Sequence, residues 1–356
     1  MTKHIRVLIA DDSSLARGLL RTFLENEKDI EVVGEAANGR QAVEQVRELR
    51  PSLVTMDLEM PVMSGLEAIE EIMCSKAVPI LVVSSVADAQ NALEAVARGA
   101  LEVVGKPEYT PELAADFVAK VRMLAGVSVI TRMRPRTATV SEMPAAPAIA
   151  AASSVPAVNY RQIIAIASST GGPQALAQIL PALPADFPCP VLIAQHISVG
   201  FAQGMADWLN SLCALPVQLG HEGELVLPGT VYISPSEHHM VVTPNRRLAL
   251  QERLSNDLYR PSCDTLLQSV AGVFGPKAIG IILTGMGHDG AAGLAAIRAA
   301  GGMTIGQDEA SSVIYGMNRV AIEQGAAQQV LPLDKIAPAM IDSAQRATGH
   351  MAWNWT

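Results

Sequence analysis

No apolar run in the chain approaches the roughly 18 residues a membrane-spanning helix needs. The opening "MTKHIRVLIADD" passes into a strand pattern with neither the apolar core nor the cleavage site of a signal peptide. The expectation is a soluble, cytoplasmic protein with no membrane insertion. Positive charge is in short supply: 26 Lys and Arg against 35 Asp and Glu leave a formal net charge of −9. That excludes a broad phosphate-tracking surface and argues against a nucleic-acid partner, although a small basic face stays compatible with it. Only four cysteines occur (Cys74, Cys189, Cys213 and Cys263), far apart and without CxxC spacing. They form neither a zinc-binding pattern nor a disulfide framework, and they suit a reducing compartment. Charged residues are also sparse, at 17% against 49% apolar, which fits well-buried α/β cores rather than disorder. At 356 residues the chain exceeds one ordinary core, so two domains are expected.

What is present has a clear rhythm. Over residues 1–124 the aliphatic runs "IRVLIA", "IEVVGEA", "PSLVTMD", "PILVVSS" and "LEVVGKP" alternate with helical patterns. That alternation is the mark of a parallel sheet with crossover helices. The last helix of this part is capped by Thr110, has Pro111 in its first position, and repeats Leu113, Phe117, Val121 and Leu124 at helical spacing. Residues 125–160 are rich in Ala, Pro, Ser and Thr; Pro144, Pro147 and Pro156 forbid a long helix, so this stretch reads as a flexible linker. Over residues 161–347 the alternation resumes with "RQIIAIASS", "PVLIAQH", "GTVYISP", "KAIGIILTG", "GGMTIGQD" and "QQVLPL". Within it "HHMVVTPNRRLALQ" reads as an antiparallel hairpin turning near Asn245. Residues 348–356 form a short tail. The expected fold class is α/β, with two doubly wound parallel-sheet domains, the first flavodoxin-like and the second Rossmann-like with an added antiparallel hairpin.

In the first domain Asp11 and Asp12 follow the first strand and Asp57 follows the third. Ligands of a doubly wound sheet sit beyond the carboxyl ends of its strands, where connections diverge. Three carboxylates gathered there repel one another unless a cation neutralises them, and hard oxygens without imidazole or thiolate favour Mg²⁺. Ser84 follows the fourth strand and Lys106 the fifth. Taken singly, Asp12 and Ser13 read as helix caps and Lys106 as a solvated charge; together at strand termini they read as a site. "VLIADDSSLAR", "VTMDLEMPVMSGLEAIEEI", "VVSS" and "GKP" resemble a response-regulator receiver domain over residues 4 to 124. The resemblance implies that Asp57 accepts a phosphoryl group from a histidine kinase. It implies Mg²⁺ held by Asp11, Asp12, Asp57 and the backbone carbonyl of Glu59, with Ser84 and Lys106 contacting the phosphoryl oxygens. Ser64 stands on a loop where that family often has Asp.

In the second domain "IAIASSTGGP" runs a buried strand straight into hydroxyls and glycines, with Pro173 suited to the first position of a helix. A serine here serves as a nucleophile only if a base activates it. His196 ends "PVLIAQH" and Asp289 follows "KAIGIILTGMGH", so serine, histidine and carboxylate lie beyond three separate strands. Neighbouring strands would bring them to one rim as a catalytic triad, which is recognised by convergence rather than by chain order. The bland alternatives are a capping turn at Ser169, a surface His196, and Asp289 as the cap of the helix after it. "GMGHDG" over residues 285–290 also fits a dinucleotide fingerprint, with Asp308 further on. Its late position and the bulk and negative charge of His288 and Asp289 count against a pyrophosphate.

"ASSTGGP", "AQHIS", "LPGTVYISP", "HHM", "RPSCDTLLQSVA", "ILTGMGHDGAAGL" and "QDEASSVIYGMNRVAI" resemble, in order, the catalytic domain of the protein-glutamate methylesterases of bacterial chemotaxis, the CheB family. The resemblance implies Ser169, rather than Ser168, as nucleophile, His196 as general base and then acid, and Asp289 orienting the imidazole. It places the backbone N–H of Met286 in the oxyanion hole and Thr170 beside it. It implies removal of methyl groups from receptor glutamyl esters, deamidation of receptor glutamines, no cofactor for hydrolysis, and partners in chemoreceptor cytoplasmic helices and a histidine kinase. A monomer is expected. Asn318 stands where the family usually has proline, and His288 where asparagine is common. The rival readings are the same hydrolase serving a signalling array unrelated to motility, and a response regulator with a non-enzymatic output.

Overall fold

The computed structural model describes residues 4–85, 89–106, 111–127, 129, 160–252, 257 and 259–348. The segment read as a linker, apart from its two ends, and the short tail, apart from Thr348, lie outside the described residues, as does the cap expected at Thr110.

The first domain runs β1 (Ile5–Ala10), α1 (Ser14–Glu25), β2 (Ile30–Ala36), α2 (Gly39–Leu49), β3 (Leu53–Met56), α3 (Gly65–Ser75), β4 (Ile80–Ser84), α4 (Ala89–Arg98), β5 (Glu102–Gly105) and α5 (Pro111–Leu124). All pairings are parallel and the strand order is β2-β1-β3-β4-β5. This is the flavodoxin-like order, and its switch point lies between β1 and β3. Helices cover both faces of the sheet, so β3 and β4 bury every residue, as continuous aliphatic runs require. Phe117, Val121 and Leu124 of α5 are buried at helical spacing against one face. Ser64 caps α3: its hydroxyl accepts from the Glu67 N–H, and the Glu67 carboxylate accepts from the Ser64 N–H.

The second domain runs β6 (Ile163–Ser168), α6 (Gly172–Ile179), β7 (Val191–Gln195), α7 (Ala202–Leu212), β8 (Val217–Leu219), β9 (Val231–Ile233), β10 (His238–Val242), β11 (Leu248–Glu252), α8 (Cys263–Phe274), β12 (Ala278–Ile282), α9 (Ala291–Ala299), β13 (Met303–Gln307), α10 (Met317–Glu323), β14 (Gln329–Leu331) and α11 (Leu333–Thr348). Seven strands form a parallel sheet in the order β14-β13-β12-β6-β7-β9-β8. The central β6, β7 and β12 are buried throughout, whereas the edge strand β14 is largely exposed. From β6 the chain works outwards to one edge, then returns to β12 on the other side of β6, which makes β12-β6-β7 the switch point. β10 and β11 form the expected antiparallel pair, with its turn from Thr243 to Arg247 and Arg246 in the left-handed region at φ 58°. β8 has only three residues, Val217 buried and the other two half-buried; it carries too short a pattern to stand out in the sequence. Tyr160 already belongs to this core, stacked 5.9 Å from Phe274.

The domains touch. α4 of the first packs on α6 and α7 of the second, and residues of both share one continuous apolar cluster that includes Leu93, Val96, Phe201 and Met205. This places β5 of the first domain against the carboxyl edge of the second sheet.

Candidate active site

At the switch point of the second sheet the register Ser168↔Gln195 and Ile282↔Ala167 brings the ends of β6, β7 and β12 level. Backbone bonds continue past the strand ends: the Ser169 N–H donates to the Thr284 carbonyl (3.0 Å) and the His196 N–H to the Ser168 carbonyl (3.0 Å). Ser169 sits in the turn before α6. It is not a cap, since Gly171 (φ 79°) holds that position with no side-chain bond. The two adjacent serines differ sharply. Ser168 is fully buried and donates its hydroxyl to Gln195 Oε1 (2.6 Å). Among the described residues no hydrogen bond uses the Ser169 hydroxyl, which lines a recess together with Thr170 and His196. Gln195 ties the site together, its amide donating to the carbonyls of Ser169 and His196 at 2.8 Å each. Sequence reading missed Gln195 because a glutamine at a strand end signals nothing until its partners are seen.

His196 Nε2 lies 2.7 Å from Asp289 Oδ2. Asp289 is not the cap of the helix that follows it, which was one expectation. Its Oδ2 accepts from the Cys263 N–H (2.6 Å), and its Oδ1 accepts from the Asp264 N–H (2.9 Å) and the Ser262 hydroxyl (3.2 Å). The carboxylate therefore sits on the amino end of α8, where free N–H groups and the helix dipole favour negative charge. Asp264 returns the favour: its Oδ1 accepts from the N–H groups of Gly290 (2.9 Å) and Gly293 (2.6 Å) at the start of α9. Burial alone raises the Asp289 pKa, but the His196 hydrogen bond and charge, with the Asp264 and Cys263 N–H groups, outweigh it and hold the carboxyl below its ordinary value. Asp264 moves the other way, raised chiefly by burial.

Two further residues frame the imidazole. Tyr259 stacks on His196 (5.1 Å, 11° between planes) and meets the His288 ring edge-on at 5.5 Å. The Cys263 thiol lies 3.5 Å from His196 Nε2, but burial pushes it well above its ordinary pKa, so it stays neutral and does not compete as a nucleophile. Gly285 packs so closely on Ser169 that a Cβ there would stand 2.5 Å from the serine Cβ. This brings the "GMGHDG" turn, with Met286, to Ser169 and uses Asp289 inwards, not towards a pyrophosphate. The chain matches the family described as CheB methylesterase over residues 164–340 and the response regulator receiver domain over residues 7–117. A relative named protein-glutamate methylesterase/protein-glutamine glutaminase 3 from Paramagnetospirillum magneticum is 57% identical over 97% of this chain and 98% of its own length.

The chain belongs to the CheB methylesterase family. A second relative, protein-glutamate methylesterase/protein-glutamine glutaminase 4 from Myxococcus xanthus, is 40% identical across 97% of this chain and 98% of its own. The crystal structure of the Thermotoga maritima CheB methylesterase catalytic domain is 38% identical, covers 51% of this chain and 97% of that one, and aligns with a TM-score of 0.49. Asn318, where this CheB family member departs from the expected proline, is fully buried and its amide donates to the Gln307 carbonyl (2.9 Å) and the Ser312 hydroxyl (2.8 Å). Those bonds tie the start of α10 to the end of β13 and the loop that follows it.

In the receiver, Asp11, Asp12 and Asp57 each bring a carboxylate oxygen within 4.8 Å of the others. Lys106 Nζ stands 2.9 Å from Asp57 Oδ2 and 3.0 Å from Asp11 Oδ2. The all-oxygen donor set fits a hard divalent cation. Ser84 is paired in register with Gly105, next to Lys106; its hydroxyl is fully buried and has no partner among the described residues. Glu59 is exposed on the loop after Asp57. The Asp57 pKa is raised, by burial first and then by Asp11, against the pull of Lys106. Burial lowers the Lys106 pKa, but Asp57 and Asp11 outweigh it and raise it overall.

Between the two sites lies β5. Glu102 at its start accepts a hydrogen bond from the Thr170 hydroxyl (2.5 Å), beside Ser169, and pairs with Lys120. The Gln174 amide of α6 donates to the Ala100 carbonyl at 2.5 Å. Leu101, Glu102 and Val103 thus form one wall of the recess that holds Ser169 and His196. Among the described residues no helix is long and apolar enough to cross a membrane.

Proposed function

We propose that the chain is a phosphorylation-activated serine hydrolase that demethylates glutamyl methyl esters on the cytoplasmic helices of chemoreceptors and deamidates receptor glutamines. The observation that carries the reading is the His196–Asp289 bond of 2.7 Å beside a recess that also holds Ser169. Ser169 attacks the γ-carbonyl while His196 takes its proton. With Nε2 engaged by Asp289, the other ring nitrogen is the one to receive that proton. Methanol leaves after protonation by His196, and water then frees the glutamate by the same path in reverse. The Met286 N–H, next to the Gly285 contact with Ser169, supplies the oxyanion donor, and Thr170 shapes the pocket edge. Such a donor accounts for roughly 100-fold or more in rate at comparable sites. Ser168 is unsuited to attack, because its only proton is given to Gln195.

The measurement is methanol released from methylated receptor fragments. Ser169→Ala is expected to fold and to release none above background, while Ser168→Ala keeps turnover and loses about 1 kcal/mol of stability with its buried hydrogen bond. Normal turnover by Ser169→Ala would remove the assignment.

In the receiver, Asp57 is the phosphoacceptor for a histidine kinase. Asp11, Asp12 and Asp57, with the Glu59 carbonyl, would hold Mg²⁺, which when bound neutralises charge on the transferring group. Lys106 neutralises further charge at the Asp57 oxygen it already contacts, and the buried hydroxyl of Ser84 donates to a phosphoryl oxygen. Chelation with EDTA is expected to stop labelling of Asp57 by a small phosphodonor, and added Mg²⁺ to restore it. Labelling that persists in EDTA would sink the carboxylate assignment.

The receiver restrains the esterase by occupying the approach to Ser169. Phosphorylation relaxes that contact through β5, which carries Glu102 at one end and leads to Lys106 at the other. Tenfold activation requires only about 1.4 kcal/mol between the two arrangements.

A further inference from the structure

The chain carries a second histidine–carboxylate pair that the hydrolysis above does not use. His239, on β10, is buried, and its Nε2 lies 2.9 Å from Asp257 Oδ2. Its Nδ1 receives the backbone N–H of Ser262 at 2.9 Å. A backbone amide only donates, so Nδ1 must keep its lone pair, and a carboxylate only accepts, so the ring proton sits on Nε2. One neutral tautomer satisfies both bonds at once, and no other does.

What that ring holds is the residue that starts α8. Ser262 is the N-cap: its hydroxyl accepts from the Thr265 N–H (3.2 Å) and donates to Asp289 Oδ1 (3.2 Å). The next two N–H groups, of Cys263 and Asp264, are the backbone donors of the same carboxylate. Three of the four contacts that fix Asp289 therefore come from residues 262–264, and the fourth is His196 itself. The Ser262 N–H has no carbonyl partner among the described residues, and its acceptor is the imidazole of His239.

We propose that His239 is a positioning residue for ester hydrolysis: neutral and oriented by Asp257, it clamps the first turn of α8 so that Ser262, Cys263 and Asp264 aim Asp289 at His196. The proposal rests on Asp289 serving the triad. Its effect is on the chemical step, because His239 is not among the residues that line the recess holding Ser169 and His196, and its ring bonds to Asp257 and Ser262. Displacement of a catalytic group by about 1 Å costs roughly 100-fold in rate.

Side-chain geometry allows the two ring nitrogens to be tested apart. Asn at position 239 can offer its amide oxygen where Nδ1 stands, accepting from Ser262 but not reaching Asp257. Gln can reach towards Asp257 without serving Ser262. The full-length, phosphodonor-treated protein and its His239→Asn, His239→Gln and His239→Leu variants are compared for methanol release, with thermal melting to establish folding and Ser169→Ala as the inactive control. His239→Asn is expected to keep kcat within about threefold, whereas Gln and Leu lose roughly 10- to 100-fold in kcat with KM within twofold. If Leu retains kcat, or if Asn falls as far as Gln, the clamp is wrong. Should His239→Leu fail to fold, the Asn–Gln pair decides alone. Absence of turnover in the unmodified protein would instead refute the hydrolase reading, so the two failures are told apart.

Discussion

Asp57 shows how a single side chain is poised against its surroundings. Its carboxylate is 5% exposed and lies in a pocket with Asp11, and the Lys106 contact does not fully offset burial. A carboxyl whose folded pKa is raised costs stability when ionised. The cost is present in full above the raised value and disappears as pH falls below the ordinary carboxylate pKa, where folded and unfolded chains are both protonated. Asp57→Asn is therefore expected to melt at a higher temperature than the unmodified chain at pH 7 without divalent cation, with the gap closing towards pH 3. A lower melting temperature at pH 7 would show that Lys106 outweighs desolvation. The neighbouring serines of the second domain differ in the same way: the buried Ser168 hydroxyl is spent on Gln195, whereas Ser169 lines the recess and its hydroxyl has no partner among the described residues.

At the scale of elements, α8 and α9 are fastened by crossed caps. Asp264 at the start of α8 accepts from N–H groups of α9, and Asp289, just before α9, accepts from those of α8. Each helix start satisfies donors that would otherwise be orphaned, and the arrangement sets Asp289 against His196 as a by-product of closing two helices. Asp264→Ala is expected to cost about 1–2 kcal/mol of stability, the usual loss of a side-chain cap, measured by urea unfolding of the full chain. It should also lower methanol release, because Gly290 follows Asp289 directly. Unchanged stability would mean that water replaces the lost carboxylate at both N–H groups.

At the scale of the molecule, the receiver's β5 joins two chemistries across a domain boundary. The Glu102–Thr170 hydrogen bond and the Gln174–Ala100 bond fasten the receiver to the turn that carries Ser169 and to the helix after it. A hydrogen bond to a charged partner contributes about 1.5 kcal/mol, so Glu102→Ala is expected to raise the basal, unphosphorylated methanol release roughly tenfold and to leave the phosphorylated rate almost unchanged. Removing residues 1–140 should exceed that gain. If neither variant rises above the unmodified basal rate, the contact face is not what restrains the enzyme.

The sequence by itself determined the two α/β domains and the chemistry offered at each strand end. Aliphatic runs long enough to be buried on both faces demand parallel sheets, and polar residues at their carboxyl ends have nowhere to go but the rim. That placed Asp57, His196, Asp289 and the Ser168–Ser169 pair at the two rims, while the choice of Ser169 and the role of each residue rest on the resemblance to known families. Only the tertiary structure decided what surrounds them, because each partner comes from a distant part of the chain and carries no periodic signal. Gln195 is an ordinary polar residue until it meets Ser168, Tyr259 belongs to no repeat until it stacks on His196, and His239 is a buried imidazole until its ring receives the Ser262 N–H. The placement of Glu102 beside Thr170 depends on how α4 packs on α6 and α7, an interdomain fit set by shape complementarity and not by any local pattern.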